Sequence, residues 1–567
     1  MSKWFLSGLL IVALVIIGTS WAAERAATRS APAAAPSAAP TPSAAPSTAA
    51  PSSAAAPGAG RSPGDAGGLP APAAKAPTAA ATPTAGPRTV ADDLARLLND
   101  PTLGRISTSA RVVALAEPAT RDRAEVLFEL RPGQPLIPAS TMKLLTTAAC
   151  LDRLGPGWRI RTHVGRIPAA GRKDVWDLGV IGGGDPNISG RFYAGDSVGA
   201  FRKWAEVLRS RDVRSLGRIV LDDSLFEPTL QHPHWPADQL ADWYAAPAGA
   251  INLNDNCVDI HVSAGAKAGD PAVIRIDPPG AYASVAGTIV TVANRAQHSF
   301  SLDRIVEAGP SPRIRIKAAG RYWVGAPEAV ESRTVADPAI FFGLALAEAL
   351  KAEGLAVEGP VVRERLTAKD GSARPDFTCD IIHTSRLDAT VTVADKRSQG
   401  LYAECLLKLL GAYGPTPDCT NPLPPRQGSW VNGAAEVRRW MGERGIPADG
   451  VIIDDGSGLS KDNRLTALAV TELLAVMYAR HGETFVKALA VAGEDGSLTN
   501  RMRNTPAEGR VYGKTGYVFG ASALSGYVRA RSGRMIAYSV IMNDVPWGEL
   551  WKARLAQDKV CIRLVDY

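Results

Sequence analysis

The chain is poor in the features that mark several protein classes. It has no run of lysine or arginine, and its 63 basic and 56 acidic residues leave a formal net charge of only +7 over 567 residues. Nucleic-acid binding calls for a concentrated basic stripe and is set aside, although a mildly basic surface suits an anionic cell envelope. Cysteine is scarce. The six (Cys150, Cys257, Cys379, Cys405, Cys419 and Cys561) form neither a CxxC nor a zinc-finger spacing. Cys379 and Cys419 are a conceivable disulfide pair. Scattered buried thiols are the simpler reading, above all for Cys150 and Cys405 on apolar helix faces. The HxH of "QHPHW", His232 and His234, reads as surface or local packing, and no metal or organic cofactor is expected. There is no exact internal repeat.

What is present is the composition of a globular protein with real cores: 46% hydrophobic and 21% charged residues, at a length that exceeds one ordinary domain. Residues 1–23 read as an export signal. Lys3 supplies the positive start, "WFLSGLLIVALVIIG" the apolar centre, and Ser20 and Ala22 fit a small-x-small cleavage site. An uncleaved membrane anchor is the alternative, because Trp4 to Ala23 is an uncharged run long enough to span a bilayer. Residues 24–88 are Ala, Pro, Ser and Thr with almost no large apolar side chain, which predicts a disordered linker. The protein is therefore expected outside the cytoplasm, in the periplasm or cell envelope.

Order is expected from residue 89. "TVADDLARLLNDP" has a helical apolar face that Pro101 stops, and "ARVVALAE" and "AEVLFEL" read as strands. Residues 156–388 alternate short β-like runs with Gly, Asp and Asn turns, which predicts β-rich accessory modules closed by the helix "PAIFFGLALAEALKAEG". Helical texture returns at "SQGLYAECLLKLLGAYG". Three strands, "GRVYGKTGYV", "SALSGYVRAR" and "RMIAYSVIMND", and a terminal helix end the chain. The expected class is α/β (α+β), an antiparallel sheet with flanking helices and a β-rich insertion.

Chemistry concentrates in "PASTMKLLTTAACLDRLG". Ser140 and Lys143 stand three apart, on one face of a helix start. A serine hydroxyl becomes a nucleophile when a neighbour takes its proton, and a desolvated lysine is able to do so. An SxxK alone is weak evidence. "VYGKTGYVFG" adds Lys514, Thr515 and Gly516 on a β-like run suited to pairing with an extended peptide, and the two motifs together belong to the penicillin-binding proteins and class A β-lactamases.

The third motif should be Ser-x-Asn, and Ser398 in "ADKRSQGLYAECLLKLLG" is its candidate. With "GGGDP" (182–186), "WYAAPAGAINLNDN" (243–256), "DGSGLSKDNRLT" (455–466) and "GEDGSLTNRM" (493–502), the chain resembles the class C penicillin-binding proteins, the D-alanyl-D-alanine carboxypeptidase/endopeptidases, over roughly residues 89–567. The resemblance implies a serine β-lactamase/DD-peptidase-like catalytic domain in two segments, 89–155 and 389–567, with 156–388 inserted between them. It implies that Ser140 attacks a terminal D-Ala-D-Ala bond, Lys143 takes its proton, and Ser398 relays a proton to the leaving amine. It further implies that Lys514 and Thr515 bind the terminal carboxylate beside Gly516, and that the N–H groups of Ser140 and Tyr517 form the oxyanion hole. Peptidoglycan peptides are the implied substrates and β-lactams the implied acylating inhibitors.

One departure stands out. The family's third motif ends in Asn, whose amide would bridge Lys143 and the substrate carbonyl; this chain has Gly400. It also has Asp395 where the family often has Asn. A catalytically weakened or inactive peptidoglycan-binding homologue is thus the competing expectation. If the loop accepts a side chain, Gly400→Asn is expected to raise the acylation rate.

Overall fold

Strands from both ends of the chain build one six-stranded antiparallel sheet. Its order is Ala490–Val491, Val511–Val518, Ala521–Arg529, Met535–Asn543, Ser107–Ala114 and Glu125–Leu130. The computed structural model describes residues 89–116, 124–172, 175–309 and 311–567. The expected export signal and linker lie outside these residues. Among the described residues, no helix is long and apolar enough to cross a membrane.

The central strands are apolar on both faces because both faces are covered. Met535–Asn543 is buried at every position. Its period-two alternation divides its side chains between two cores. Ala537 and Ile541 join Val113 and Tyr527 against a helical layer, while Ile536, Tyr538 and Val540 join Val112 and Leu524 on the opposite face. The first layer contains the helices Met142–Leu154, Leu387–Lys396, Gly400–Tyr413, Trp430–Glu443 and Ala467–His481. The second contains Leu550–Val565 and the N-terminal helix Val90–Leu98. Thr89 caps that first helix through a reciprocal bond with Asp92, and Leu94 and Leu98 face inward.

Residues 156–388 are β-rich. A five-stranded mixed sheet runs in the order Val361–Arg363, Ile219–Asp222, Trp176–Ile181, Arg159–Pro168 and Thr378–Arg386. Two three-stranded sheets, a two-stranded pair (Ser215–Leu216 with Ala356–Val357) and the helices Gly199–Ser210 and Pro338–Ala352 complete this part around a core of their own. The five-stranded sheet reaches the other way as well: Ile160, Ile167, Ile181 and Val220 belong to the same core as the helices Met142–Leu154 and Gly400–Tyr413. All six cysteines are free thiols, so the conceivable Cys379–Cys419 pair is not formed. Cys379 and Cys419 instead donate to the Ile381 and Leu423 carbonyls.

Candidate active site

Ser140 stands on a tightly held turn. The side chain of Asn543, at the end of its strand, bonds both backbone groups of Ile137. Ala139 takes a left-handed φ of 47°, and Ala139–Thr141 forms one 3₁₀ turn before the α-helix begins at Met142. A left-handed alanine is a strained position that the surroundings must hold in place. Two glycines let other backbone close around it. A Cβ on Gly458 would run into the Ala139 carbonyl. A Cβ on Gly516 would stand 2.5 Å from the Pro138 carbonyl oxygen and 3.2 Å from the Ser140 nitrogen. Gly516 therefore brings the KTG strand directly against the nucleophile turn.

Lys143 lies one turn on, only 2% exposed. Its Nζ is 3.1 Å from the Ser140 Oγ and donates to the Ser457 carbonyl at 2.7 Å. Burial lowers its pKa to about 8, and the carboxylates of Glu404, Asp455 and Asp395 hold it from falling further. An amine of this kind is uncharged in an appreciable fraction of molecules near neutrality, which is what a proton acceptor for Ser140 needs.

The Ser457 carbonyl owes its place to two buried carboxylates. Glu404, on the helix Gly400–Tyr413, accepts from the Trp430 indole and from the N–H groups of Gly456 and Ser457. Asp455 accepts from Trp235 Nε1, from the N–H groups of Gly458 and Ser460, and from the Asn463 amide. Sequence reasoning passed over both residues. The available signal was an acidic residue, Glu404, in a helix that is apolar at nearly every other position.

Ser398 occupies the break between two helices, with φ of 57°. Its Oγ accepts from Lys514 Nζ at 2.8 Å, and the same ammonium donates to the Thr515 carbonyl at 2.8 Å. Lys514 is fully buried, and burial together with the nearby Lys143 charge pushes its pKa well below that of a free lysine, against the pull of Asp395. The ammonium is thus directed at Ser398. Thr515, the more accessible of the pair, donates to Ser497 Oγ in "GEDGSLTNRM". Tyr517 is 45% exposed at the rim, with the Arg554 guanidinium over its ring. The outer edge of the KTG strand is paired by Ala490–Val491 only at Tyr512 and Gly513, so the ladder leaves Lys514–Val518 open on that side.

Asp395 sits between the two lysines. It is fully buried, neither carboxylate oxygen has a hydrogen-bond donor in good geometry, and burial lifts its pKa to about 7 against Lys514, Thr147 and Lys143.

Gly400 departs from expectation. The left-handed residue of this motif is Ser398, and Gly400 opens the following helix. A Cβ there would stand 2.5 Å from the Tyr244 carbonyl oxygen. The segment "WYAAPAGAINLNDN" has closed over the glycine, and an asparagine side chain does not fit without moving that backbone. The adjacent Gln399 is buried, and its amide nitrogen has no partner among the described residues.

Comparison with known proteins identifies the family. The model of the D-Ala-D-Ala carboxypeptidase 3 (S13) family matches residues 90–560. The D-alanyl-D-alanine carboxypeptidase of Actinomadura sp. (strain R39) is 32% identical over 496 residues, 84% of each chain. Carboxypeptidase DacB of Mycolicibacterium smegmatis is 27% identical over 472 residues, covering 81% of this chain and 80% of its own. Among solved structures, penicillin binding protein 4 (dacB) from Haemophilus influenzae superposes with a TM-score of 0.66 at 20% identity, over 84% of this chain and 99% of that one. The chain belongs to the D-Ala-D-Ala carboxypeptidase 3 (S13) family of serine-type hydrolases.

Proposed function

We propose that the protein is a serine D-Ala-D-Ala carboxypeptidase that works on peptidoglycan stem peptides through an acyl-enzyme on Ser140. The observation that carries this reading is the Ser140 Oγ–Lys143 Nζ contact of 3.1 Å, made by a lysine whose pKa is lowered to about 8. Uncharged Lys143 takes the hydroxyl proton as Oγ attacks the carbonyl carbon of the terminal D-Ala-D-Ala bond. The N–H groups of Ser140 and Tyr517 are the assigned donors to the oxyanion. The substrate chain adds to the open edge of the KTG strand. Its terminal carboxylate lies toward Thr515 and Ser497. Ser398, held by Lys514, passes its proton to the nitrogen of the departing D-alanine and takes up the one that Lys143 received, which returns Lys143 to the uncharged amine. The C–N bond breaks, leaving an ester on Ser140. Water, giving its proton to the uncharged Lys143, then attacks the ester carbonyl, and Lys143 returns that proton to the Ser140 Oγ as the ester breaks, restoring the serine.

A β-lactam offers the same carbonyl in a ring and acylates the same oxygen. Penicillin binding protein 4 of H. influenzae, a neighbour in fold, is known in complex with a β-lactam. Cleavage of cross-links between stems is proposed as a further activity on the same acyl-enzyme. Export to the cell envelope, with or without retention of the N-terminal segment as a membrane anchor, is proposed on residues 1–23.

Labelling with a reporter penicillin is the test. Wild type should carry one label, and Ser140→Ala none; equal labelling of both overturns the assignment. A second reading, a peptidoglycan-binding homologue with little turnover, draws on the filled space at Gly400. Release of D-alanine from a pentapeptide, dependent on Ser140, separates the two.

A further inference from the structure

The HxH of the sequence is not isolated in the fold. The loop carrying it is pinned beside the loop 451–464, where Trp235 Nε1 donates to Asp455 at 2.9 Å and the Asp454 N–H donates to the Asn463 amide oxygen at 2.8 Å. Four side chains from these two loops converge. The Nδ1 of His234 lies 3.1 Å from each Asp454 carboxylate oxygen and 3.2 Å from Asp462 Oδ2. The Nδ1 of His232 lies 3.6 Å from Asp454 Oδ2. One ligand atom each from His232, His234 and Asp454 falls within 4.8 Å of the others.

These spacings have a chemical meaning. Ligands bound at 2.0–2.1 Å around a tetrahedral ion stand roughly 3.3 Å apart. The measured separations lie within a few tenths of an ångström of that edge. The two imidazoles present the same nitrogen, Nδ1, to the same carboxylate. The His232 ring is fixed edge-on to Trp430 at 4.9 Å between centroids, so one of the donors is held before any ion arrives. The His232 Nδ1 also accepts from the His234 N–H at 3.3 Å, a bond that an ion at this nitrogen would replace.

We propose that His232, His234 and Asp454 form a binding site for one divalent transition metal ion, with Zn²⁺ as the ion that the two-imidazole, one-carboxylate set suits. Three protein ligands hold the ion and leave its fourth position to water. The ion ties the insertion's loop to the loop whose Ser457 carbonyl receives the Lys143 ammonium. It lies outside the Ser140 machinery and takes no part in bond making.

The experiment uses full-length protein prepared without a polyhistidine tag, stripped by a chelator, and titrated with ZnCl₂ alone. Wild type should bind one Zn²⁺ per chain with a saturable isotherm, and its unfolding midpoint should rise on loading. His234 is 54% exposed at its side chain, so His234→Ala should keep the fold. It should lose about 100-fold or more in zinc affinity and show no zinc-dependent rise in midpoint. Asp454→Asn should behave alike. Less than stoichiometric binding by wild type, binding only at millimolar zinc, or unchanged affinity in both variants would overturn the proposal. Penicillin labelling of Ser140 is not the readout, so failure of the proposed activity leaves this test intact.

Discussion

At the scale of single residues, the site works by balancing charges that burial makes expensive. Lys143 faces Glu404, Asp455 and Asp395, with the Lys514 charge close by. On the proposed mechanism only the uncharged amine accepts the Ser140 proton, so the second-order acylation rate should rise with pH and level off above about 8. The Asp395 carboxylate raises the pKa of both lysines, and removing it lowers both. Asp395→Asn should therefore move the acid limb of the rate profile to lower pH; stopped-flow acylation across pH measures this, and an upward move would show the sign to be wrong. Gly400 yields a second prediction, opposite to the one its motif suggests. With the Tyr244 carbonyl 2.5 Å from the position of a Cβ, Gly400→Asn should destabilise the fold, by about 1–3 kcal/mol for such overpacking, and should not speed acylation. Denaturant midpoints and acylation rates of the folded variant check both halves. The sequence marks Ser140, Lys143, Ser398 and Lys514 because their side chains stand at fixed short spacings within motifs. It does not mark the Ser457 carbonyl that receives Lys143, because a backbone oxygen has no residue type. Nor does it show that Tyr244 fills the space above Gly400, a contact between segments far apart in the chain.

At the scale of elements, two pieces govern how accurately those residues meet. The helix Gly400–Tyr413 is buried at every position, yet carries Glu404 and Lys408 one turn apart. Its helical type is legible from length and composition, but all-round burial hides the periodic face that would say what it packs against. Lys408 donates to the carbonyls of Thr229 and Ala248 and lies over the Trp430 ring, tying the insertion to the helix. Glu404 fixes the 456–457 backbone. Glu404→Gln turns one acceptor into a donor facing N–H groups, which should cost about 1–3 kcal/mol and slow acylation by letting the Ser457 carbonyl drift from Lys143. Wild-type acylation in a folded Glu404→Gln protein would show that the loop is held by Asp455 alone. The KTG strand is the second piece. Its glycine reads in the sequence as room for substrate; in the fold it is room for the nucleophile turn. Gly516→Ala should push the strand off Pro138 and Ser140. Misplacement of about 1 Å can cost 10²-fold, so labelling by penicillin should slow by roughly that factor while Ser140 and Lys143 stay in place. An unchanged rate would mean that the turn yields instead.

At the scale of the whole molecule, the β-rich insertion is part of the site's foundation. The β texture of 156–388 is readable from its turn residues and short apolar runs. Which sheet faces which core is not, because pairing order joins strands as distant as Arg159–Pro168 and Thr378–Arg386. Three observations link the insertion to the chemistry. Its five-stranded sheet shares a core with the helices Met142–Leu154 and Gly400–Tyr413 through Ile160, Ile167, Ile181 and Val220. Its Trp235 donates to Asp455, and its Asn187 amide donates to Thr390 on the helix before Ser398 at 2.7 Å. Its Tyr244 carbonyl covers Gly400. Cutting out 156–388 and closing the gap with a short flexible linker would uncover the apolar side of those helices. It would also release the loop that presents Ser457 to Lys143. The shortened protein should be poorly soluble; any folded fraction should label with penicillin at least about 10²-fold more slowly, the scale of losing one preorganised polar contact. Solubility, circular dichroism and labelling rate are the measurements. A soluble, folded product that labels at the wild-type rate would mean that both motif-bearing segments form the site unaided, and that the insertion serves only to select substrates.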